Sequence, residues 1–255
     1  LKMSSHPFIV TMYFAFQNQK KFYIGLEYVM GGALFKFLQR GRKMKVSEVR
    51  FYVAEVALAL DYLHSKGILY RDLKLENVLL WDDGYIKLTD FGLSKTLVND
   101  SEFQQTSTFC GTNEYLPPEM IADKEYGFEI DWWALGVFTY EFLVSETPFY
   151  HKSLKRMYNK ILTEQPKFPI YIPAVVRDFI LMLLEKDPEK RGTFKEVKAH
   201  PFFQGIDWND VYNKKLEPPY GSGKEKNMKD KKDSDAPTMD NDSEFDGFTY
   251  VGGND

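Results

Sequence analysis

The sequence holds a single cysteine, Cys110, in 255 residues. No intrachain disulfide is therefore possible, and an intracellular setting, cytoplasmic or also nuclear, is expected. The four His and the lone Cys show no zinc-ligand spacing. No apolar run approaches the roughly 18 residues of a spanning helix. The longest runs, such as Phe179–Leu184, have the length of core segments, so no membrane-spanning segment is expected. There is no charged-then-apolar leader, and the chain opens on Leu1 rather than Met, so the expected natural start lies upstream. The body of the chain also lacks a charge of one sign. Residues 221–255 carry five Lys against seven Asp and two Glu, and five against nine is the whole of the net −4. A neutral body is the wrong electrostatic footprint for a nucleic-acid partner, and none is expected.

What is present reads as a soluble globular protein, with 44% hydrophobic and 27% charged residues. The length allows one large domain or two small ones. Residues 8–16 and 22–29 are β-branched and aromatic around a polar stretch, which predicts a hairpin. Gly31-Gly32 ends it, and Ala33–Gln39 reads as a short helix. A long helix is expected from a Ser47 cap to Ser65, on the stripe Val49, Tyr52, Val53, Val56, Leu60 and Leu63, with Gly67 as its stop. Val78–Trp81 and Tyr85–Leu88 flank Asp82-Asp83-Gly84, a tight-turn signal. Beyond residue 131 the pattern is mostly helical, clearest at Trp132–Val144 and Val175–Glu185. Residues 221–242 lose nearly all apolar content and read as disordered in isolation. Few strands followed by many helices predict an α+β fold.

The hairpin at 78–88 carries the chemistry. In an antiparallel hairpin the residue before the first strand and the residue after the second are spatial neighbours. Those positions are near Asn77 and Asp90, an amide oxygen and a carboxylate. Both are hard ligands suited to Mg²⁺, which takes only one or two protein oxygens and leaves the rest to water and phosphate. Asp72, in the polar loop Arg71-Asp72-Leu73-Lys74, adds a second carboxyl near the same edge. The competing reading is that Asp and Asn near turns bond only their own backbone.

Taken together, Tyr70-Arg71-Asp72-Leu73-Lys74-Leu75-Glu76-Asn77 and Asp90-Phe91-Gly92 resemble the catalytic and metal loops of eukaryotic protein kinases. Pro118-Glu119 resembles the end of their activation segment, and Asp131-Trp132-Trp133-Ala134-Leu135-Gly136 the central helix of their large lobe. Arg191 sits where the family pairs an arginine with that glutamate, here Glu119. Tyr70 in place of the usual histidine resembles the AGC group. So do Thr108-Phe109-Cys110-Gly111-Thr112, the tail segment Glu217-Pro218-Pro219-Tyr220, and Phe245-Asp246-Gly247-Phe248-Thr249-Tyr250. The resemblance implies an ATP- and Mg²⁺-dependent Ser/Thr kinase. Its organisation would be a remnant of the β-rich N-lobe with the hinge at 1–30, a helical C-lobe at 31–203 and a regulatory tail at 204–255.

The resemblance also implies roles. Asp72 would orient the substrate hydroxyl and accept its proton, Lys74 would steady the transferred charge, and Thr112 would position both. Asn77 and Asp90 would hold Mg²⁺. Leu26, Glu27 and Val29 look like the hinge that bonds adenine, with Leu79 in its floor. For Leu26 and Leu79, plain core packing is an equal and compatible reading. Thr108 matches an activating phosphorylation site, with Arg71 and Lys95 as its cations, and Thr249 matches a tail site. Phe245 and Phe248 match the motif by which an upstream activating kinase docks. Glu76, which also borders the nucleotide-binding group, and Glu141 match contacts to basic residues of protein substrates. Salt bridging within the lobe is their competing role. The family's acid after the hinge glycines is Ala33 here.

One departure is large. The 255 residues contain no Gly-x-Gly-x-x-Gly loop and no Val-Ala-Ile-Lys strand, and Leu1–Ser5 resembles only the end of the helix that would carry the partner glutamate. Half of the phosphate clamp is absent, so little activity is expected of the chain as it stands. Two readings follow: part of an active kinase, or a non-catalytic scaffold built on a kinase large lobe. The full set Asp72, Lys74, Asn77 and Asp90 favours the first.

Overall fold

A computed structural model describes residues 6–18, 20–36, 44–97 and 106–220. These lie in one compact unit, and residues 221–255 lie outside the described residues. Thr249, Phe245 and Phe248 therefore lie outside the described residues, as do Leu1–Ser5 and residues 37–39 of the helix expected at 33–39.

The strands are β1 (Met12–Gln17), β2 (Phe22–Leu26), β3 (Ile68–Leu69), β4 (Val78–Leu80), β5 (Ile86–Leu88) and β6 (Lys95–Thr96). The helices are α1 (Val46–Ser65), α2 (Pro118–Ile121), α3 (Glu129–Val144), α4 (Leu154–Thr163), α5 (Ala174–Leu183), α6 (Phe194–Ala199) and α7 (Trp208–Tyr212). Among the described residues three two-stranded antiparallel ribbons form, β1 with β2, β3 with β6 and β4 with β5. The α+β mixture agrees with the sequence.

Helix α3 is buried almost all round, the mark of a helix enclosed by others. Its Gly136 lets α5 approach closely, since a Cβ there would fall 2.9 Å from Leu183 and Leu184 side-chain atoms. Helix α1 lies beside α3 and buries the stripe read from the sequence. It starts one residue before the expected Ser47 cap. The Glu48 carboxylate reaches back to accept the Lys45 N–H at 2.8 Å, which closes the first turn and leaves Ser47 inside it.

The first hairpin is shorter than expected. Phe8, Ile9 and Val10 leave the ribbon and bury themselves against β5 instead, where the Leu88 N–H donates to Phe8 at 2.8 Å and the Val10 N–H to Leu88 at 2.9 Å. The β1–β2 ribbon itself exposes large apolar groups, with Phe22 77% and Ile24 62% exposed.

Hairpin β4–β5 is fixed from three sides. Residues 8–10 cover one edge. Helix α1 reaches it twice: the Tyr52 hydroxyl donates to the Gly84 carbonyl at 3.3 Å, and the buried Glu55 Oε2 accepts the Ile86 N–H at 2.9 Å. Burial raises the Glu55 carboxyl well above its usual range. At the turn, Gly84 (φ +90°) lies under the chain at Tyr220. A Cβ on Gly84 would fall 1.6 Å from the Tyr220 carbonyl oxygen. The Tyr85 hydroxyl lies 2.6 Å from the Lys214 and Leu216 carbonyls, and Lys214 Nζ pairs with Asp83 at 3.0 Å. Gly84→Ala combines a left-handed φ with this clash and is expected to cost about 1–3 kcal/mol. Limited proteolysis should then cut near 214–220 first; a wild-type digestion pattern and unfolding midpoint would count against this clamp.

Candidate active site

The loop 70–77 is held in an unusual shape by one buried group. Asp131, at the start of α3 and fully buried, accepts the Tyr70 N–H and the Arg71 N–H, each at 2.9 Å. It also meets His64 Nε2 at 2.7 Å. Arg71 sits at φ +68°, a region costly for a non-glycine residue, and these two bonds hold it there.

The next residue, Asp72, is 6% exposed and touches three side chains. Lys74 Nζ lies 3.0 and 2.8 Å from its two oxygens. Thr112 donates to Oδ1 at 3.2 Å and accepts from Lys74 Nζ at 3.2 Å. Asn77 Nδ2 donates to the Asp72 Oδ2 and to its backbone carbonyl, both at 2.8 Å. Asp72, Lys74, Thr112 and Asn77 are thus one hydrogen-bonded cluster, drawn from two loops 35 residues apart in sequence between Asn77 and Thr112.

The Asn77 carbonyl accepts the Thr89 N–H at 3.0 Å, which sets Asn77 beside the start of the segment bearing Asp90. Asp90 is exposed at φ +56°, and its Oδ1 accepts the Gly92 N–H at 3.1 Å. With Nδ2 engaged, the Asn77 amide presents its oxygen, and the Asp90 carboxylate keeps Oδ2 clear of that turn. Two hard oxygens fit Mg²⁺ completed by phosphate and water. Among the described residues no group of three or more His, Cys, Asp and Glu could hold a metal alone, which a two-ligand Mg²⁺ site does not require.

The segment 27–34 runs past this hairpin. The Leu80 N–H donates to Gly32 and the Leu34 N–H to Val78, both at 2.8 Å. Gly31 approaches so closely that a Cβ would lie 2.0 Å from the Leu80 carbonyl oxygen. Leu79 is half-buried and faces this segment through its bridge with Ala33, while Leu26 is 45% exposed. The Glu27 N–H donates to the Thr11 carbonyl at 2.8 Å.

Glu141 lies in α3 and is hydrogen-bonded by the Tyr115 hydroxyl. Its carboxyl is pushed up to about 7, first by burial and then by the charges of Glu76 and Glu114, against the lowering effect of Tyr115. Glu114, which the sequence reading missed, is raised by burial and by Glu76. The three carboxyls form one acidic cluster. Only its fold-back could reveal Glu114, since the residue sits in a single 3-10 turn, Asn113–Tyr115, too short to show a period.

Thr108 is exposed. Its Oγ1 lies 3.4 Å from Thr106 Oγ1, which accepts Lys95 Nζ at 2.6 Å. Arg71 Nη1 reaches the Tyr126 hydroxyl at 3.3 Å, and that hydroxyl donates to the Thr108 carbonyl at 2.5 Å. Both expected cations thus stand near Thr108. Arg191 and Glu119 form a buried bidentate pair at 2.6 and 2.9 Å.

A family model for the protein kinase domain matches residues 1–203. The chain is 41% identical to a RAC family serine/threonine-protein kinase homolog of Dictyostelium discoideum, over 98% of this chain and 60% of that protein. It is 46% identical to the serine/threonine-protein kinase sgk-1 of Caenorhabditis elegans, over 84% of this chain and 47% of that one. It is 43% identical to human RAC-beta serine/threonine-protein kinase, over 86% of this chain and 46% of that one. The chain thus spans about half of the length of these relatives.

Proposed function

We propose, from the premise that this chain belongs to the protein kinase domain family as an AGC-type Ser/Thr kinase, that the Asp72 cluster serves phosphoryl transfer from ATP to Ser and Thr hydroxyls of proteins. The observation that carries the reading is Asp72 bonded at once by Lys74, Thr112 and Asn77. A carboxylate so fixed points a bound hydroxyl and takes its proton as the phosphorus–oxygen bond forms. Lys74 supplies a cation beside the same place, and Thr112 keeps the two in register. Asn77 and Asp90 would hold Mg²⁺, which when bound offsets phosphate charge. The backbones of Glu27 and Val29, between Leu26 and the Leu79 floor, would take adenine. The division into 1–30, 31–203 and 204–255 belongs to this reading, as do phosphorylation of Thr108 and Thr249 and docking of an activating kinase at Phe245 and Phe248.

Within these 255 residues no glycine-rich loop or lysine strand completes the phosphate clamp. The polypeptide alone should therefore transfer phosphate slowly. The test is transfer of labelled phosphate from ATP to an Arg-containing Ser peptide, compared with Asp72→Asn. A rate that survives this change would remove Asp72 from the chemistry. No helix of the described residues is long and apolar enough to cross a membrane.

The acidic cluster supports a preference for Arg near the target residue. Glu141, titrating at about 7, must be ionised to pair with a guanidinium. Arginine binding then favours the deprotonated form. Between pH 8 and pH 6 the affinity for an Arg peptide should fall about tenfold, and binding near pH 7 should release about half a proton. Calorimetry in two buffers of different ionisation enthalpy reads that proton. Glu141→Gln should flatten the profile; an unchanged slope in this variant would separate Glu141 from recognition.

A further inference from the structure

The ion pair between Lys87 and Glu27 lies outside the catalytic cluster, and its placement assigns it work. Lys87 is on β5, directly opposite Leu79 of β4, so the two side chains share a face of the ribbon. That face looks toward segment 27–34. Lys87 Nζ reaches Glu27 Oε2 at 2.9 Å, and both side chains are largely buried. The same Oε2 accepts the Thr11 N–H at 3.0 Å, and the Glu27 N–H returns to the Thr11 carbonyl at 2.8 Å. The lysine ammonium also stands over the Trp81 ring at 5.7 Å. The contacts hold the Glu27 carboxyl below its usual range even though burial opposes them.

Segment 27–34 is therefore tied to β4–β5 at both ends. Downstream, Gly32 and Leu34 bond β4 through the backbone. Upstream, the tie is the Lys87–Glu27 pair, the only described ion pair that joins the β1–β2 end of the chain to β4–β5. Between the ties, Tyr28 and Met30 project into solvent, 78% and 67% exposed. The close approach of Gly31 to Leu80 and the backbone path from Glu27 through Thr11 and Val10 to Leu88 also hold that span, and the Lys87–Glu27 pair is the side-chain tie among them.

We propose that Lys87 is a positioning residue, whose ion pair with Glu27 sets the distance between the adenine-facing backbone at 27–29 and the Asn77/Asp90 end of β4–β5. This rests on the nucleotide reading above and adds to it. A purine and its phosphates are one rigid-ended ligand, so the two ends of the site must keep a set spacing. Lysine on a stiff ribbon, paired with a carboxylate that also clasps Thr11, supplies that spacing.

The experiment uses the full chain with Lys87→Met, Lys87→Arg, Glu27→Gln and the Met/Gln double variant. Amide hydrogen exchange is read by NMR without ligand. In Lys87→Met the Thr11 and Glu27 amides should exchange at least tenfold faster, while Val10 and Leu88, bonded elsewhere, keep their rates. Lys87→Arg should restore protection. Calorimetry with ADP and Mg²⁺ should show a three- to tenfold loss in Lys87→Met and in Glu27→Gln, near wild-type affinity in Lys87→Arg, and no further loss in the double. Unchanged exchange at Thr11 and Glu27 overturns the proposal, as does equal acceleration at Val10 and Leu88, which marks general loosening. Wild-type ADP affinity in Lys87→Met overturns it as well. Should the wild-type chain take up no ADP, the nucleotide reading itself fails, and the exchange rates still decide whether Lys87 fixes the segment.

Discussion

Arg191→Ala is expected to lower the unfolding free energy by about 3–5 kcal/mol, the cost of leaving a buried carboxylate without its partner. The guanidinium is 3% exposed and uses four directed contacts. Nη1 and Nη2 grip the Glu119 carboxylate at 2.6 and 2.9 Å, Nε donates to Glu185 at 3.0 Å, and Nη1 also donates to Glu129 at 3.1 Å. Its face lies over Trp133 at 5.2 Å. Alanine strands Glu119, itself 3% exposed, and opens a void. Lysine should rescue little, because one ammonium cannot reproduce the fork. The double variant Arg191→Met/Glu119→Leu should be less destabilised than Arg191→Ala, since no charge is then left buried alone. Urea unfolding of the set decides it. A domain stability of about 5–15 kcal/mol would barely carry the single change. Equal midpoints for wild type and Arg191→Ala would show that the pair contributes nothing net. A second consequence follows along the chain. Glu119 lies on α2 just after the segment bearing Thr112, so losing its anchor should also loosen Thr112 from Asp72.

Completing the phosphate clamp should have the larger effect on rate. Fusing the glycine-rich loop and lysine strand of a kinase relative ahead of Pro7 is expected to raise phosphoryl transfer to an Arg-containing peptide by about 10³-fold. Removal of one preorganised donor alone costs about 10²–10³ in related chemistry. In that fusion Asp72→Asn should remove about 10²–10⁴ of the rate, the span of a positioned general base together with its orienting effect. The amide can still accept a bond from Lys74 or Thr112, so the fold should survive and unfolding should stay near wild type. Steady-state kinetics on the fusion and its variant measure both changes. A fusion no faster than the unmodified chain would mean that the Asp72 cluster does not act on a nucleotide phosphate, and would favour a binding role for this lobe.

Much of the site was legible because its parts are close in sequence or follow local geometry. The Asp82-Asp83-Gly84 turn between β-branched runs predicts hairpin β4–β5, and a hairpin brings its flanks together wherever it folds. Asn77 beside Thr89 is a consequence of that turn. The stripe at 49–63 likewise predicts α1. Other parts were not legible. Strands β3 and β6 are two residues each, too short to show a period, and pair only because the chain returns. Phe8–Val10 read as strand, and the residues do pair, but with Leu88 rather than within the first hairpin. Asp131 stood out only as part of a motif; its two bonds to the loop at Tyr70 and Arg71 appear once α3 crosses that loop.

The sequence by itself determined the local chemistry: which side chains could orient a hydroxyl, hold a hard cation or end a helix. Those properties depend on residue type and on spacings of a few residues, which the chain carries before it folds. It also determined that the glycine-rich loop is not among these 255 residues, and that the charge imbalance lies beyond residue 220. Tertiary structure decided the partners. Lys87 with Glu27, Glu114 with Glu141, Arg191 with Glu119 and Asp131 with Arg71 join residues 27 to 72 positions apart. Burial then set the charge state of Glu55 and Glu141, because desolvation depends on what surrounds a carboxyl, and the neighbours come from other elements.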